Sequence, residues 1–199
     1  FWRRTTHENV DLNRNFHDFS RPLPRNTAYD ELAQLLVPAV WPPDAATQQG
    51  IADYVARHGP KGLQAAVSAG QYGHPDGLFY GGREPTWSHR TIRQVLRERA
   101  KRCRRLGWID FHTGLGPNGH GERIFACRDD APALARARAW WGRDVTSLYD
   151  GSSTSAFLTG LMWMAFYEEC PQAEYTGIAM EYGTVPWQQG PPEIKDPSA

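Results

Sequence analysis

Apolar positions along the chain recur at two spacings. Helical spacing links Ile51, Tyr54 and Val55, and again Ile92, Val95, Leu96, Cys103 and Leu106. Short apolar or alternating runs occupy Trp108–Phe111, Glu122–Cys127 and Thr176–Glu181, which read as strands. Local signals bound the helices. Thr27-Ala28-Tyr29-Asp30 opens one that Pro38 stops, and Asp44 caps a second that Gly59-Pro60 breaks before a short helix or strand at Leu63–Val67. Ser88 caps a third. Asp130 and Pro132 start an alanine-rich fourth helix reaching about Arg143, and Ala156–Glu168 reads as a buried fifth helix stopped by Pro171. Helices alternating with short strands make the fold class α/β.

The central stretch is Trp108–Gly116, Trp-Ile-Asp-Phe-His-Thr-Gly-Leu-Gly. It predicts a buried strand, with Trp108, Ile109 and Phe111 inside, running into a glycine-rich loop. Asp110 and His112 are two apart and share a strand face. His112 stands where the strand ends, the place at which open α/β sheets bind ligands. A capped strand with a hydrogen-bonded histidine is the plainer reading. A second strand, Thr176–Glu181, likewise ends in a reactive side chain before Tyr182-Gly183-Thr184.

Composition narrows the classes. The 199 residues suffice for one domain spanning residues 1–199. Lys+Arg and Asp+Glu each total 22, and this zero net charge argues against nucleic acid or another polyanion as partner. The basic side of the Ile92–Leu106 helix, Arg93, Arg97, Lys101, Arg104 and Arg105, is read as a solvated face. No apolar run is long enough to span a bilayer, so no membrane partner is expected. Cys103, Cys127 and Cys170 form no close pair, which suits reduced thiols and a cytoplasmic location. The chain starts at Phe1 inside what reads as a motif, and the expectation is a segment cut from a longer protein.

Three loops carry candidate chemistry. Val10-Asp11-Leu12-Asn13-Arg14-Asn15-Phe16 clusters amides around a guanidinium whose fork suits a carboxylate, with Val10, Leu12 and Phe16 facing inward. Gly70–Ser88 contains Tyr72, Phe79, Tyr80 and Trp87, so it is expected to be ordered as a wall or lid of a cleft. In it, a loop-pinning hydrogen bond is the favoured role for His74 over a ligand role. Thr146–Ser155 is a loop of small residues around Tyr149.

Arg3 or Arg4, Asn13-Arg14, His112 and Glu181 together suit hydrolysis of an amide beside a carboxylate. A metal activates water, a carboxylate moves the proton, and guanidinium groups hold the anions. The motifs Phe1-Trp2-Arg3-Arg4, Val10–Phe16, Asp110-Phe111-His112-Thr113-Gly114 and Glu181-Tyr182-Gly183-Thr184 resemble, in the same order, the zinc metallocarboxypeptidases (funnelins), and in particular an uncharacterised bacterial branch. The resemblance implies a three-layer mixed sheet with helices on both faces and one zinc ion. It implies His112 as a zinc ligand, Glu181 as general acid/base, and Arg3 as the oxyanion arginine with Arg4 as the near alternative. It further implies Asn13 and Arg14 as the pair that binds the substrate carboxylate, and Tyr149 as the tyrosine that closes over substrate. The substrate would be a C-terminal peptide bond or an acylated amino acid; a deacylase on the same fold and a non-catalytic binding module are the alternatives. One family feature is missing. The family's other two zinc ligands come from His-x-x-Glu, and none of the seven histidines has Glu three residues on. The expectation is that this motif lies before Phe1, so that the chain by itself is inactive.

Overall fold

The computed structural model describes residues 4–184. By its internal contacts the chain forms two compact units. The first takes in the residues up to Arg102 together with Ala156–Pro171, and the second Cys103–Ser155 with the residues from Gln172.

The first unit is helical. α1 (Thr27–Leu36) is capped by Asn26, one residue before the predicted start, because the Asn26 side chain accepts from Tyr29 N at 3.0 Å. The same amide donates to the carbonyls of Ala66 and Gly70, which ties α1 to the end of the next helix. Asp44 caps α2 (Ala45–Ser68) as predicted, and α2 kinks at Gly59, where φ is 72° just before Pro60. Leu32, Tyr54 and Ala66 form the core between these helices, flanked by Leu35, Leu36, Leu63 and Val67.

α3 (Trp87–Val95) is capped by Thr86 rather than Ser88 and runs on through a π turn at Leu96–Ala100. It therefore stops short of Cys103 and Leu106. The fifth helix is also shorter than its sequence suggests: α5 is Met164–Glu169, and 156–163 is turn and irregular chain. Gly160 explains the difference. Its φ is +67°, and a Cβ there would lie 2.2 Å from the Arg14 carbonyl oxygen, so the backbone is turned left-handed against the Leu12–Arg14 turn.

The loop after α2 is ordered. The buried Gln71 side chain bonds both N–H and C=O of His74, while Asn15 reaches the Gly81 and Glu84 carbonyls and the Thr86 N–H. His74 Nε2 lies 2.9 Å from Asp30 Oδ1, the loop-pinning contact.

The second unit is a small mixed sheet with a helix. β1 (Arg105–Thr113) and β2 (Gly121–Phe125) flank β3 (Glu174–Tyr182), in the order β1-β3-β2. β1 runs parallel to β3, and β2 antiparallel to it. α4 (Ala131–Trp141) packs on β3, with Arg136 donating to Thr176 Oγ1 and to the Tyr175 carbonyl.

β1 is an edge strand, and this overturns its reading as a buried one. Asp110 and His112 lie half-buried on one face, while Ile109 and Phe111 on the other are 38% and 69% exposed. The reason is coverage: α4 reaches the Gly107 end of β1 through Trp140, and among the described residues the strand has a neighbour on one side only.

Candidate functional site

The sheet register sets the site. His112 on β1 pairs with Glu181 on β3, and Glu181 pairs with Glu122 on β2. Paired residues of adjacent strands point to the same face, so an imidazole and two carboxyl groups stand in one row at the end of the sheet. Two residues back, Asp110 lies on the same face.

His112 sits between two carboxylates. Its Nε2 is 2.7 Å from Asp110 Oδ2 and its Nδ1 is 3.6 Å from Glu181 Oε2. A carboxylate behind one ring nitrogen fixes the ring plane and turns the other nitrogen toward Glu181. Glu181 is buried and is held at Oε1 by the Leu115 N–H at 3.2 Å. The 114–120 loop that supplies this N–H is fastened to the end of β3. Gly119 N donates to the Gly183 carbonyl, and a Cβ at Gly183 would lie 1.9 Å from the Pro117 carbonyl oxygen. Glycine at 183 is what lets the loop close over the carboxylate.

Glu122 is placed differently. Its Oε1 accepts from Thr146 Oγ1 at 2.5 Å and from Thr154 N at 3.2 Å, and Thr154 Oγ1 donates to Oε2. Burial by itself would raise this carboxyl's pKa; the threonine hydrogen bonds outweigh it and hold the group below its ordinary range. One carboxylate thus pins both ends of the 146–154 loop. Within that loop, Tyr149 donates its hydroxyl to the Cys127 carbonyl at 2.9 Å, and burial raises its pKa above the ordinary value. Its ring lies 6.4 Å from that of Phe125.

The other predicted residues belong to the first unit. Asn13 and Arg14 are buried in a 3-10 turn capped by Asp11. The Arg14 guanidinium donates to the Ser68 carbonyl through Nε and Nη2, at 2.9 and 2.6 Å, and to the Asn13 carbonyl through Nη1, bracing the last turn of α2. Asn13 Oδ1 accepts from Met162 N at 2.8 Å. Arg3 lies outside the described residues. Arg4 reaches the buried Asp11 with Nε at 3.2 Å.

The structure therefore brings His112 and Glu181 together and adds Asp110, Glu122 and the Leu115 N–H. Glu122 was missed by sequence reasoning, although a signal for it existed: an acid on the same strand face as Ile124, in a run read as alternating. Among the described residues, no group of three or more His, Cys, Asp or Glu side chains is placed to hold a metal ion. No described helix is long and apolar enough to cross a membrane.

A sequence-family profile described as "Protein of unknown function (DUF2817)" matches residues 1–190. No curated protein and no solved structure matches the chain.

Proposed function

The chain belongs to the DUF2817 family, and from that premise we propose that it is a hydrolase resembling the zinc metallocarboxypeptidases, cleaving an amide bond beside a substrate carboxylate. The observation that carries this reading is the His112–Glu181 pair, in register on neighbouring parallel strands with Asp110 behind the imidazole.

The donor set fits zinc in part. An imidazole backed by a carboxylate is a usual zinc ligand, but a catalytic ion takes about three protein ligands. The described residues offer His112 as one of them. When bound, the ion supplies Lewis acidity that polarises a carbonyl and activates water near neutral pH.

The chain's own residues do the remaining work. Asp110 holds the His112 ring through Nε2. Glu181 presents Oε2 on the imidazole side as the group that takes a proton and later delivers it to the leaving amine, while the Leu115 N–H steadies Oε1. Arg3 stabilises the oxyanion in this reading. Asn13 and Arg14 hold the substrate carboxylate, which requires the guanidinium to exchange its Ser68 carbonyl partner for the anion. Tyr149 closes over substrate, exchanging the Cys127 carbonyl for it.

The test is hydrolysis by the purified full-length protein of peptides with a free C-terminal carboxylate and of N-acyl amino acids, with zinc content measured in parallel. Glu181→Gln is expected to lower the rate by about 10²- to 10⁴-fold with the metal retained. Unchanged turnover in this variant overturns the proposal, and the preferred substrate separates peptidase from deacylase.

A further inference from the structure

A cavity of about 570 Å³ is lined wholly by residues of the first unit, none of them assigned a role above. That volume is within the range of small-molecule sites. Phe19 and Pro85 supply apolar wall, and α3 with the π turn that follows it contributes Arg90, Arg93 and Arg97, a stripe with i, i+3, i+7 spacing.

These guanidinium groups are not equivalent. Arg93 is fully engaged, with Nε on His89 Nε2 at 2.6 Å, Nη1 on Glu169 and Nη2 on Glu168. Among the described residues, Arg97 uses Nη1 alone, on Glu169, and Arg90 Nη1 alone, on the Pro85 carbonyl. Both therefore keep N–H donors for a ligand. His89 is a fixed neutral wall: its Nδ1 bonds the Asn15 carbonyl at 3.0 Å, its ring stacks on Phe16, and burial with the Arg93 charge lowers its pKa to about 4.

His17 supplies the second, independent observation. It lines the same cavity, and its Nε2 is buried with no hydrogen-bond partner among the described residues. An orphaned buried polar atom is costly, and a turn of the ring that brings Nε2 to an accepting ligand oxygen in the cavity removes the cost. The cavity's carboxylates are already occupied: Asp18 accepts from Ser20 and Arg21, and Glu168 from Arg93.

We infer that this cavity binds a small molecule through an oxyanion, a carboxylate or phosphate group received by Arg90, Arg97 and His17. The apolar wall of Phe19 and Pro85 takes the body of the ligand. The inference is independent of the hydrolase reading, since it uses none of the same residues.

Titration with inorganic phosphate and, separately, citrate tests it, followed by calorimetry and by the side-chain nitrogen signals of the histidines. Saturable binding that shifts the His17 signal, and that weakens by about tenfold or more in Arg97→Gln and in His17→Gln, is the expected result. Whichever probe binds identifies the oxyanion. Arg90→Gln, at an exposed position, carries the comparison if His17→Gln fails to fold by circular dichroism. Absence of saturable binding of both probes overturns the inference. So does binding that the variants leave unchanged, or an effect that chloride reproduces at equal ionic strength.

Discussion

Glu122 and Glu181 stand directly opposite each other on antiparallel strands, two buried carboxyl groups on one sheet face with different surroundings. Hydrogen bonds from two threonines meet Glu122, whereas Glu181 has one backbone N–H and the edge of an imidazole. Like carboxyl groups placed side by side favour roles that differ, and the partners separate them. Glu122, held below its ordinary range by the threonine hydrogen bonds, fastens a loop; Glu181 faces Nδ1 of His112.

Removal of the Glu122 carboxylate leaves the Thr146 and Thr154 donors of the 146–154 loop without their acceptor. Glu122→Ala is expected to destabilise the fold by about 2–4 kcal/mol, and Glu122→Gln, which keeps one acceptor oxygen, by about half as much. Urea denaturation followed by tryptophan fluorescence measures both. Equal stability of the alanine variant and the parent contradicts the loop-pinning role.

The orienting role of Asp110 is separable from folding because its side chain is only half-buried. Asp110→Asn is expected to weaken zinc binding or hydrolysis by about 10- to 100-fold, with little change in melting temperature. Metal titration of the full-length protein against a chromophoric chelator reads the first quantity directly.

His89 makes stability depend on pH. Its pKa is about 4 in the fold against an ordinary 6.5, so between these values the unfolded chain binds the extra proton. Stability is therefore expected to be full above pH 6.5 and to fall as the pH drops toward 4, by up to about 3 kcal/mol from this group. Chemical denaturation at pH 7 and pH 5 should show the loss, and His89→Gln should flatten that part of the profile.

Gly160 tests the account of the shortened fifth helix. Gly160→Ala places a methyl group against the Arg14 carbonyl in a left-handed backbone and is expected to cost more than about 2 kcal/mol. A gain in stability, as a helix-forming alanine would bring to an ordinary helical site, refutes the explanation.

Much of the local structure was legible in the chain. The Asp44 cap, the Gly59-Pro60 break, the Asp130 start and the strand that carries Glu181 near its end are all written in neighbouring residues, because caps, kinks and strand alternation depend on contacts within a few positions. The shared face of Asp110 and His112 followed from the two-residue period alone. Other features were not legible. Ala156–Leu161 is apolar enough for a helix, but a carbonyl from Arg14, far away in sequence, occupies the space a regular helix would need at Gly160. Phe111 and Ile109 look like core by composition and are exposed, because burial depends on which element covers a strand.

The chain by itself therefore determined where most helices and strands lie and which residue types stand at their ends, since those follow from residue type and short spacing. Tertiary structure alone decided that His112, Glu181 and Glu122 share one row, because register between strands depends on long-range backbone hydrogen bonds that no local pattern encodes. It also decided that the Arg14 guanidinium rests on the end of α2, since a buried charge takes whatever acceptors the packed backbone brings to it.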